Sequence, residues 1–278
     1  SFIVGFILTG FIKTSVLTSE SGPLAIFSIA LVRLGLALLV SMLVALAAIR
    51  LGMVDRQMVY NGYVKPVSHF FQCYGRALSL WLLALVGFYR LSDIVLGAIA
   101  NVFYLDLGFT KQQIAGIVKT YGLVMTLLGG FCGGALTLRF GVMPILLWGA
   151  ILSACTNLLF MVLAQMGNHV EMLYVVIAAD NLAGGLAVAA FVAFLSSLTQ
   201  VSFTAVQYAI FSSLMTLFPK LISGYSGTLV DAVGYSTFFA LTAMMGVPVI
   251  AVLWQCWRQL QRRAANVEHA NGQDLLKR

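Results

Sequence analysis

Long apolar runs alternate with short polar or turn-forming segments along the whole chain. A helix needs about 20 apolar residues to cross a bilayer. Runs of that length lie near 24–48, 79–104, 114–137, 142–165, 172–198, 204–229 and 236–256. The breaks between them contain segments such as "TSESGP", "RFG", "QMGNHVE" and "VDAVGY". The pattern predicts an all-α polytopic membrane protein.

The two ends of the chain differ from this repeated pattern. The first apolar run, "FIVGFILTGFI", is about half as long as a span requires, and no basic segment precedes it, as one would in a signal peptide. We therefore interpret residue 1 as a cut inside a longer protein, and 1–49 as a partial helix followed by a complete one. A cytoplasmic linker over 50–77, a six-helix bundle over 78–256 and a basic cytoplasmic tail over 257–278 complete the predicted organisation.

Composition agrees with the membrane as the solvent of this protein. Hydrophobic residues make up 61% of the chain and charged residues only 9%, whereas soluble domains contain about 25% charged residues. Soluble enzymes and single-span receptors are excluded. The net charge of +7 does not require a nucleic-acid partner, because basic excess in membrane proteins is typical of cytoplasmic loops.

The Lys and Arg residues outside the predicted spans are divided unequally between the two sides of the membrane. Lys13 and Lys111 fall on one side. The other side carries Arg50, Arg56, Lys65, Arg76, Arg139, Arg258, Arg262, Arg263, Lys277 and Arg278. Basic loops stay in the cytoplasm, so we expect the linker and the C-terminus to be cytoplasmic.

Arg90 and Asp93 lie near the middle of an apolar span, three positions apart. Each charge costs about 2.5–3.5 kcal/mol at the centre of a membrane helix on insertion scales. A spacing of three places them on one helix face, where they could pair and anchor packing. Intramembrane ionisable groups more often serve function, and Asp93 is the better proton carrier because arginine does not deprotonate in proteins.

Other polar side chains within the spans are candidates for substrate contacts. Lys119 either extends to the membrane interface or binds substrate. Asp180 and Asn181 could bind a sugar hydroxyl, relay a proton or satisfy a loosened helix. Lys220 follows Pro219, which should kink its helix, and it is a candidate contact for an anionic substrate. Gln207 and Tyr208 lie near the start of the same span.

Two overlapping GxxxG pairs occur in one span, Gly129 with Gly133 and Gly130 with Gly134. Such pairs allow the backbone of another helix to approach closely. Close packing is the simpler interpretation of these glycines, and a sliding contact that moves during transport is the sharper one.

No catalytic or metal-binding motif is present. The three histidines fall in predicted loops or the tail, and the four cysteines are scattered without a CxxC or Cys/His metal spacing. HExxH, GxSxG and Walker A sequences do not occur. The sequence thus predicts neither an enzyme nor a cofactor or metal site, and several ionisable groups in a Gly-rich bundle favour a transporter cavity.

Several segments resemble known transporters. "GGALTLRFG" resembles the short cytoplasmic loop of the major facilitator superfamily, and "ISGYSGTLVDAVGYSTFF" resembles its penultimate helix and the following turn. The ordered set "FYRLSD", "VKTYGL", "ADNLAGG", "AAFVAFLSSL", "FTAVQYAIFSSL" and "GYSTFF" is similar to the AmpG-type muropeptide permeases of Gram-negative bacteria. The resemblance implies the C-terminal half of a major-facilitator-type bundle, with about two extra helices upstream.

The resemblance also implies a function and a set of residues. That family imports N-acetylglucosamine–anhydro-N-acetylmuramic acid, with or without peptide, by proton symport across the inner membrane for cell-wall recycling. It implies that Asp93, Lys119, Asp180, Asn181 and Gln207 belong to a polar cavity. The expected partners are an anionic sugar-peptide, protons, the bilayer and an N-terminal half of the same chain.

Departures from the family pattern keep alternatives open. Arg90 stands where the family has a lysine, Asp180 where it has a glutamate, and "FPKL", which contains Lys220, where it has a Gly-Arg pair. A transporter of another organic anion, such as an acyl-CoA or a drug, is one alternative. A truncated, non-transporting membrane scaffold is the other.

Overall fold

The computed structural model describes residues 23–52, 55–199 and 204–275. The predictions for the partial first helix and for Lys13, Lys277 and Arg278 lie outside these residues. The chain divides into two compact units, residues 1–69 and residues 70–278, and each is described by itself.

The first unit contains α1 (Pro23–Arg50), α2 (Arg56–Val59), a π-helical turn π1 (Tyr60–Val64) and the start of α3 (Lys65–Tyr74). The carboxylate of Asp55 accepts a hydrogen bond of 2.8 Å from the backbone N–H of Gln57 and caps α2. Such a bond satisfies one of the free N–H groups at a helix start. The predicted linker is therefore largely helical.

The second unit continues from α3 as a bundle of long helices. Its elements are α4 (Arg76–Phe88), α5 (Leu91–Asp106), α6 (Lys111–Gln113), π2 (Ile114–Tyr121), α7 (Gly122–Phe140), α8 (Val142–Met166), α9 (Val170–Leu198), α10 (Thr204–Ser223) and α11 (Ser226–Leu275).

The prediction of an all-α polytopic membrane protein is confirmed. Among the described residues, six helical segments of this unit are long and apolar enough to cross a membrane. They are Arg76–Asp106, Lys111–Phe140, Val142–Met166, Val170–Leu198, Ala205–Ser223 and Ser226–Arg263. The described ranges contain no β-strand.

The first of these spans is interrupted between α4 and α5, where the apolar pattern predicts one continuous helix. Arg90 has φ −99° and ψ 11°, outside the usual helical region. Tyr89, beside the interruption, contacts two other helices. Its hydroxyl donates to the carbonyl oxygen of Leu146 at 3.0 Å, and its ring stacks on Phe191 with centroids 4.7 Å apart. Contacts distant in sequence thus hold the break in place.

Two breaks lie near the C-terminus. The turn between the last two spans was predicted around residues 230–235, and the helix breaks there at Gly234, with φ 77° and ψ 164°, a positive φ that glycine adopts without steric cost. A second break, which the sequence did not predict, separates α10, which ends at Ser223, from α11, which begins at Ser226. The predicted tail continues the helix to Leu275 because Arg, Gln, Leu and Ala are strong helix formers.

Two apolar clusters lie toward opposite ends of the bundle. One joins the start of α4 to the end of α9 and includes Leu82 and Phe194, both buried. The other joins the end of α5 to the starts of α9 and α11, where the rings of Phe103 and Phe239 meet edge to face with centroids 4.7 Å apart. The middle of the bundle is left for polar side chains.

Glycines bring α7 and α9 into close contact. A Cβ atom on Gly133 would lie 2.7 Å from the backbone of Leu186, and one on Gly129 would overlap the carbonyl group of Leu182. A Cβ on Gly134 would meet no atom of the described residues within 4 Å. Of the two predicted GxxxG pairs, the pair Gly129 and Gly133 therefore makes the close helix contact.

Candidate functional site

A polar cavity of about 350 Å³ lies between α5, the π2–α7 segment, α8 and α9. Its charged and amide side chains are Arg90, Asp93, Asn101, Lys119, Asp180 and Asn181. Five of the eight predicted site residues therefore share one space, although they are spread over more than 90 positions of the sequence. Hydroxyl groups of Tyr104, Thr126 and Ser153 also line it.

The helix interruption places the first two charges. Arg90 occupies the interruption itself, and Asp93 lies in the first turn of α5. The Nε atom of Arg90 is 3.8 Å from Oδ2 of Asp93, and both side chains are about a quarter exposed, 29% and 23%. Within the described residues this Nε atom is buried without a hydrogen-bond partner. The pairing that the three-residue spacing allows is thus formed, and it leaves the arginine incompletely satisfied.

The carboxylate of Asp93 is also held by a neighbouring helix. The hydroxyl of Ser153 on α8 donates a short hydrogen bond to Oδ1 of Asp93. The two carboxylate oxygens therefore have different partners, a hydroxyl on one side and a guanidinium on the other. An ionised carboxylate accepts hydrogen bonds at both oxygens, so this arrangement suits the charged form.

Asp180 and Asn181 project from α9 into the same cavity as the Arg90–Asp93 pair. Oδ1 of Asp180 accepts from the hydroxyl of Thr156 at 3.2 Å. Oδ1 of Asn181 accepts from the hydroxyl of Thr126 at 2.8 Å, and its Nδ2 donates to the Ile177 carbonyl at 2.9 Å. One N–H of the amide remains for a ligand because an amide nitrogen carries two.

Lys119 reaches the cavity from the π-helical segment π2. A π-helical turn widens the helix locally and often occurs at functional sites. The segment begins after a capping box, in which Thr110 and Gln113 exchange hydrogen bonds. Lys119 is exposed and lines the cavity, so the cavity contains two cations and two carboxyl groups.

Three predicted site residues lie outside this cavity. Gln207 is buried near the start of α10, and Tyr208 packs against the apolar cluster that contains Phe194. Lys220 is exposed near the end of the same helix. The structure does not bring these side chains together with the others, and their roles stay predictions.

The apolar pattern missed the hydroxyl groups that hold the carboxylates. Ser153 and Thr156 lie in "ILSACTNLLF", and Thr126 lies in "GLVMTLLGG". Such residues usually bond to carbonyls of their own helix, so their presence alone does not indicate a site. Ser153 and Thr156 lie three residues apart on one helix face, but Ser213 and Thr216 share this spacing outside the cavity, so the spacing gave no distinguishing signal.

The side chains of the cavity suit a polar, anionic ligand. Two cations suit carboxylate groups of a ligand, and the amide and the hydroxyls suit its hydroxyl groups. Among the residues that the structure describes, no three His, Cys, Asp or Glu side chains are placed to hold a metal ion.

Comparison with known proteins identifies the relatives of the chain. The protein named AmpG 4 of Rickettsia conorii, a transporter by its name, is 34% identical over 190 residues. That match covers 68% of this chain and 45% of the relative. The anhydromuropeptide permease of Escherichia coli K12 is 30% identical over 204 residues, which are 73% of this chain and 41% of the permease. These names denote transport proteins rather than enzymes.

The chain therefore spans less than half the length of these two relatives. No family model matches it.

Proposed function

Because the chain is a homologue of the AmpG-type permeases over about two thirds of its length, we propose that its protein imports anhydromuropeptides. The substrate is N-acetylglucosamine–anhydro-N-acetylmuramic acid, with or without peptide, and import is coupled to protons and serves cell-wall recycling. The observation that carries this proposal is the cavity in which two cations, two carboxyl groups and an amide face one another.

The six spans of residues 78–256 are, in this proposal, the C-terminal half of a major-facilitator-type bundle. The relatives are more than twice as long as the matched segment, which supports a second half elsewhere in the same protein. Substrate sites of such transporters lie near the middle of the membrane, between the two halves. Residues 1–49 and the linker over 50–77 then precede this half.

The chemistry of the substrate fits the cavity. A muropeptide carries carboxylates and several sugar hydroxyls, and we assign the carboxylates to Arg90 and Lys119. The free N–H of Asn181 suits a hydroxyl or acetamido oxygen. Guanidinium groups bind carboxylates with two parallel hydrogen bonds, and the incompletely satisfied Nε atom of Arg90 supports its role.

The two carboxyl groups, Asp93 and Asp180, are the proposed proton carriers. Carboxyl groups within transporter spans commonly serve as proton relays. A proton on either group would also lower its competition with the substrate carboxylates for the two cations. Proton binding and substrate binding are then coupled, because protonation of either acid leaves the cations of the same cavity free to bind the substrate carboxylates.

The distribution of basic residues supports a cytoplasmic C-terminus in the bacterial inner membrane. With six crossings, Arg76 and Arg139 lie on the same side as Arg258, Arg262 and Arg263. That side is the cytoplasmic one by the positive-inside rule.

Uptake in a strain that lacks its own permease tests the proposed function. The complete gene is expressed, and radiolabelled anhydromuropeptide uptake is measured with and without a protonophore. We expect uptake above the empty vector that collapses when the proton gradient is removed. Uptake of a labelled acyl-CoA or drug instead would identify another organic anion as substrate, and no uptake of any of them would indicate a non-transporting scaffold.

Lys119→Gln is expected to raise the KM for muropeptide by about tenfold, because a charge-assisted hydrogen bond contributes about 1.5–3 kcal/mol. The maximal rate should change less, since the proton carriers remain. Lys111→Gln, at the exposed start of the same segment, is the matched control and should leave KM unchanged. An unchanged KM in both variants would place Lys119 outside the binding site.

A further inference from the structure

One turn of α8 contacts both carboxyl groups of the cavity. Ser153 donates to Asp93 on α5, and Thr156 donates to Asp180 on α9. In the described part of the chain, no other side chain of α8 donates a hydrogen bond to an acidic side chain. A single helix turn therefore links two acids that come from different neighbouring helices.

The Thr156 hydroxyl has two acceptors and only one proton to donate. Its Oγ1 atom lies 2.9 Å from the carbonyl oxygen of Ser153 and 3.2 Å from Oδ1 of Asp180. The hydroxyls of Thr137 and Thr216, by contrast, bond to carbonyls of their own helices. Bonding to the own helix is the usual arrangement for threonine. The distinguishing feature of Thr156 is that its second acceptor is a carboxylate on another helix.

We propose that Ser153 and Thr156 are positioning residues that set how readily Asp93 and Asp180 gain and lose a proton, and that the Thr156 hydroxyl changes its acceptor when Asp180 is protonated. This inference rests on the proton coupling of the proposed function. It goes beyond that function because it names the groups that control the two acids.

The exchange conserves hydrogen bonds in both states. An ionised Asp180 can only accept, so the Thr156 hydroxyl donates to it. When Asp180 takes up one proton, its new O–H donates to Oγ1 of Thr156, and the Thr156 hydroxyl turns to the carbonyl oxygen of Ser153. No other proton moves, and neither state leaves the carboxyl group or the threonine hydroxyl unpaired, which would be costly within the membrane.

Other charged and titratable groups face the same acids. Arg90 pairs with Asp93, and Lys119 lines the same cavity. Tyr89 interacts electrostatically with Asp93, and Tyr104 with Asp180. The two acids also interact with each other. The side chains that α8 contributes to the cavity lining, Ser153 and Phe160, do not titrate. Replacing the Thr156 hydroxyl thus leaves every one of these charges in place.

The pH profile of uptake tests the role of Thr156 in the full-length protein. Thr156→Val keeps the shape of the side chain and removes the hydroxyl. The substitution removes the bond to Asp180 in both states, but the charge-assisted bond to the ionised carboxylate is the stronger one. The protonated form is therefore favoured, and the pH at half-maximal uptake should rise by about one unit. Thr156→Ser should restore the wild-type profile, and Thr216→Val is the matched control with an unchanged profile.

A second measurement separates this inference from the proposed function. Infrared difference spectra of the purified full-length protein follow the carboxylic C=O band during a pH titration without any substrate, and Asp180→Asn identifies the band of Asp180. A titration midpoint that moves upward in Thr156→Val supports the inference even if the wild-type protein imports no muropeptide. A midpoint that stays in place while uptake merely slows would overturn it, and Thr156 would then be a packing residue.

Discussion

Uptake by the Asp93→Asn protein is expected to fall to less than about one hundredth of the wild-type rate, the lower range of what loss of a positioned proton-transfer group costs an enzyme. Asparagine cannot carry the coupled proton. The substitution also removes the negative partner of Arg90, whose Nε atom has no hydrogen-bond partner among the described residues. Initial rates of radiolabelled muropeptide uptake, normalised to the amount of protein in the membrane, give the comparison.

Asp106→Asn is the control for this variant. Asp106 ends the same helix as Asp93 and accepts a short hydrogen bond from the hydroxyl of Tyr235, outside the cavity. Its replacement should leave more than half of the uptake. Equal loss in both variants, or full uptake in Asp93→Asn, would remove Asp93 from the coupling mechanism and leave it as a partner for Arg90.

Gly129→Ala is expected to destabilise the protein strongly. The new Cβ would overlap the carbonyl group of Leu182 on α9, a backbone atom that cannot move aside as a flexible side chain can. Overpacking of a tight contact costs about 1–3 kcal/mol and occasionally more. We expect a lower thermal unfolding midpoint in detergent and less folded protein in the membrane.

The matched variant is Gly134→Ala, on the same helix. A Cβ there meets nothing within 4 Å in the part of the chain that the structure describes, and alanine is the better helix former by about 1 kcal/mol. This variant should unfold at the same or a higher temperature. If both variants unfold at the wild-type temperature, α7 and α9 are not packed as tightly as the structure has them.

The long apolar runs made the helices predictable, because the membrane requires each span to satisfy its own backbone hydrogen bonds. The interruption at Tyr89 and Arg90 was not predictable. Its stabilising contacts, the Leu146 carbonyl and the Phe191 ring, come from helices more than 50 positions away, and no proline marks it. The turn at residues 224–225 was missed as well, although "SGYSG" offered a local glycine signal.

The charged side chains of the cavity were predictable, but the hydroxyl groups that donate hydrogen bonds to its carboxyl groups were not. Charges are so costly within spans that Arg90, Asp93, Lys119 and Asp180 were conspicuous in the sequence, and the structure brings them to one cavity. Hydroxyl groups cost little and have many alternative partners, so nothing distinguished Thr156 from Thr216 before their surroundings were known. The glycines predicted that another helix packs closely on α7, but not that this helix is α9 or which of the two pairs makes the contact.

The balance of charges in the cavity also bears on how the membrane voltage acts on it. With both acids ionised, the charges of Arg90, Lys119, Asp93 and Asp180 cancel, and the voltage does no net work when the site moves as a whole. One bound proton gives the site a single positive charge. Moving one elementary charge across the membrane changes its free energy by about 2.3 kcal/mol for each 100 mV. A substrate that brings one carboxylate with that proton restores neutrality. Under the proposed coupling, the electrical potential would then drive import only when protons outnumber the negative charges of the cargo.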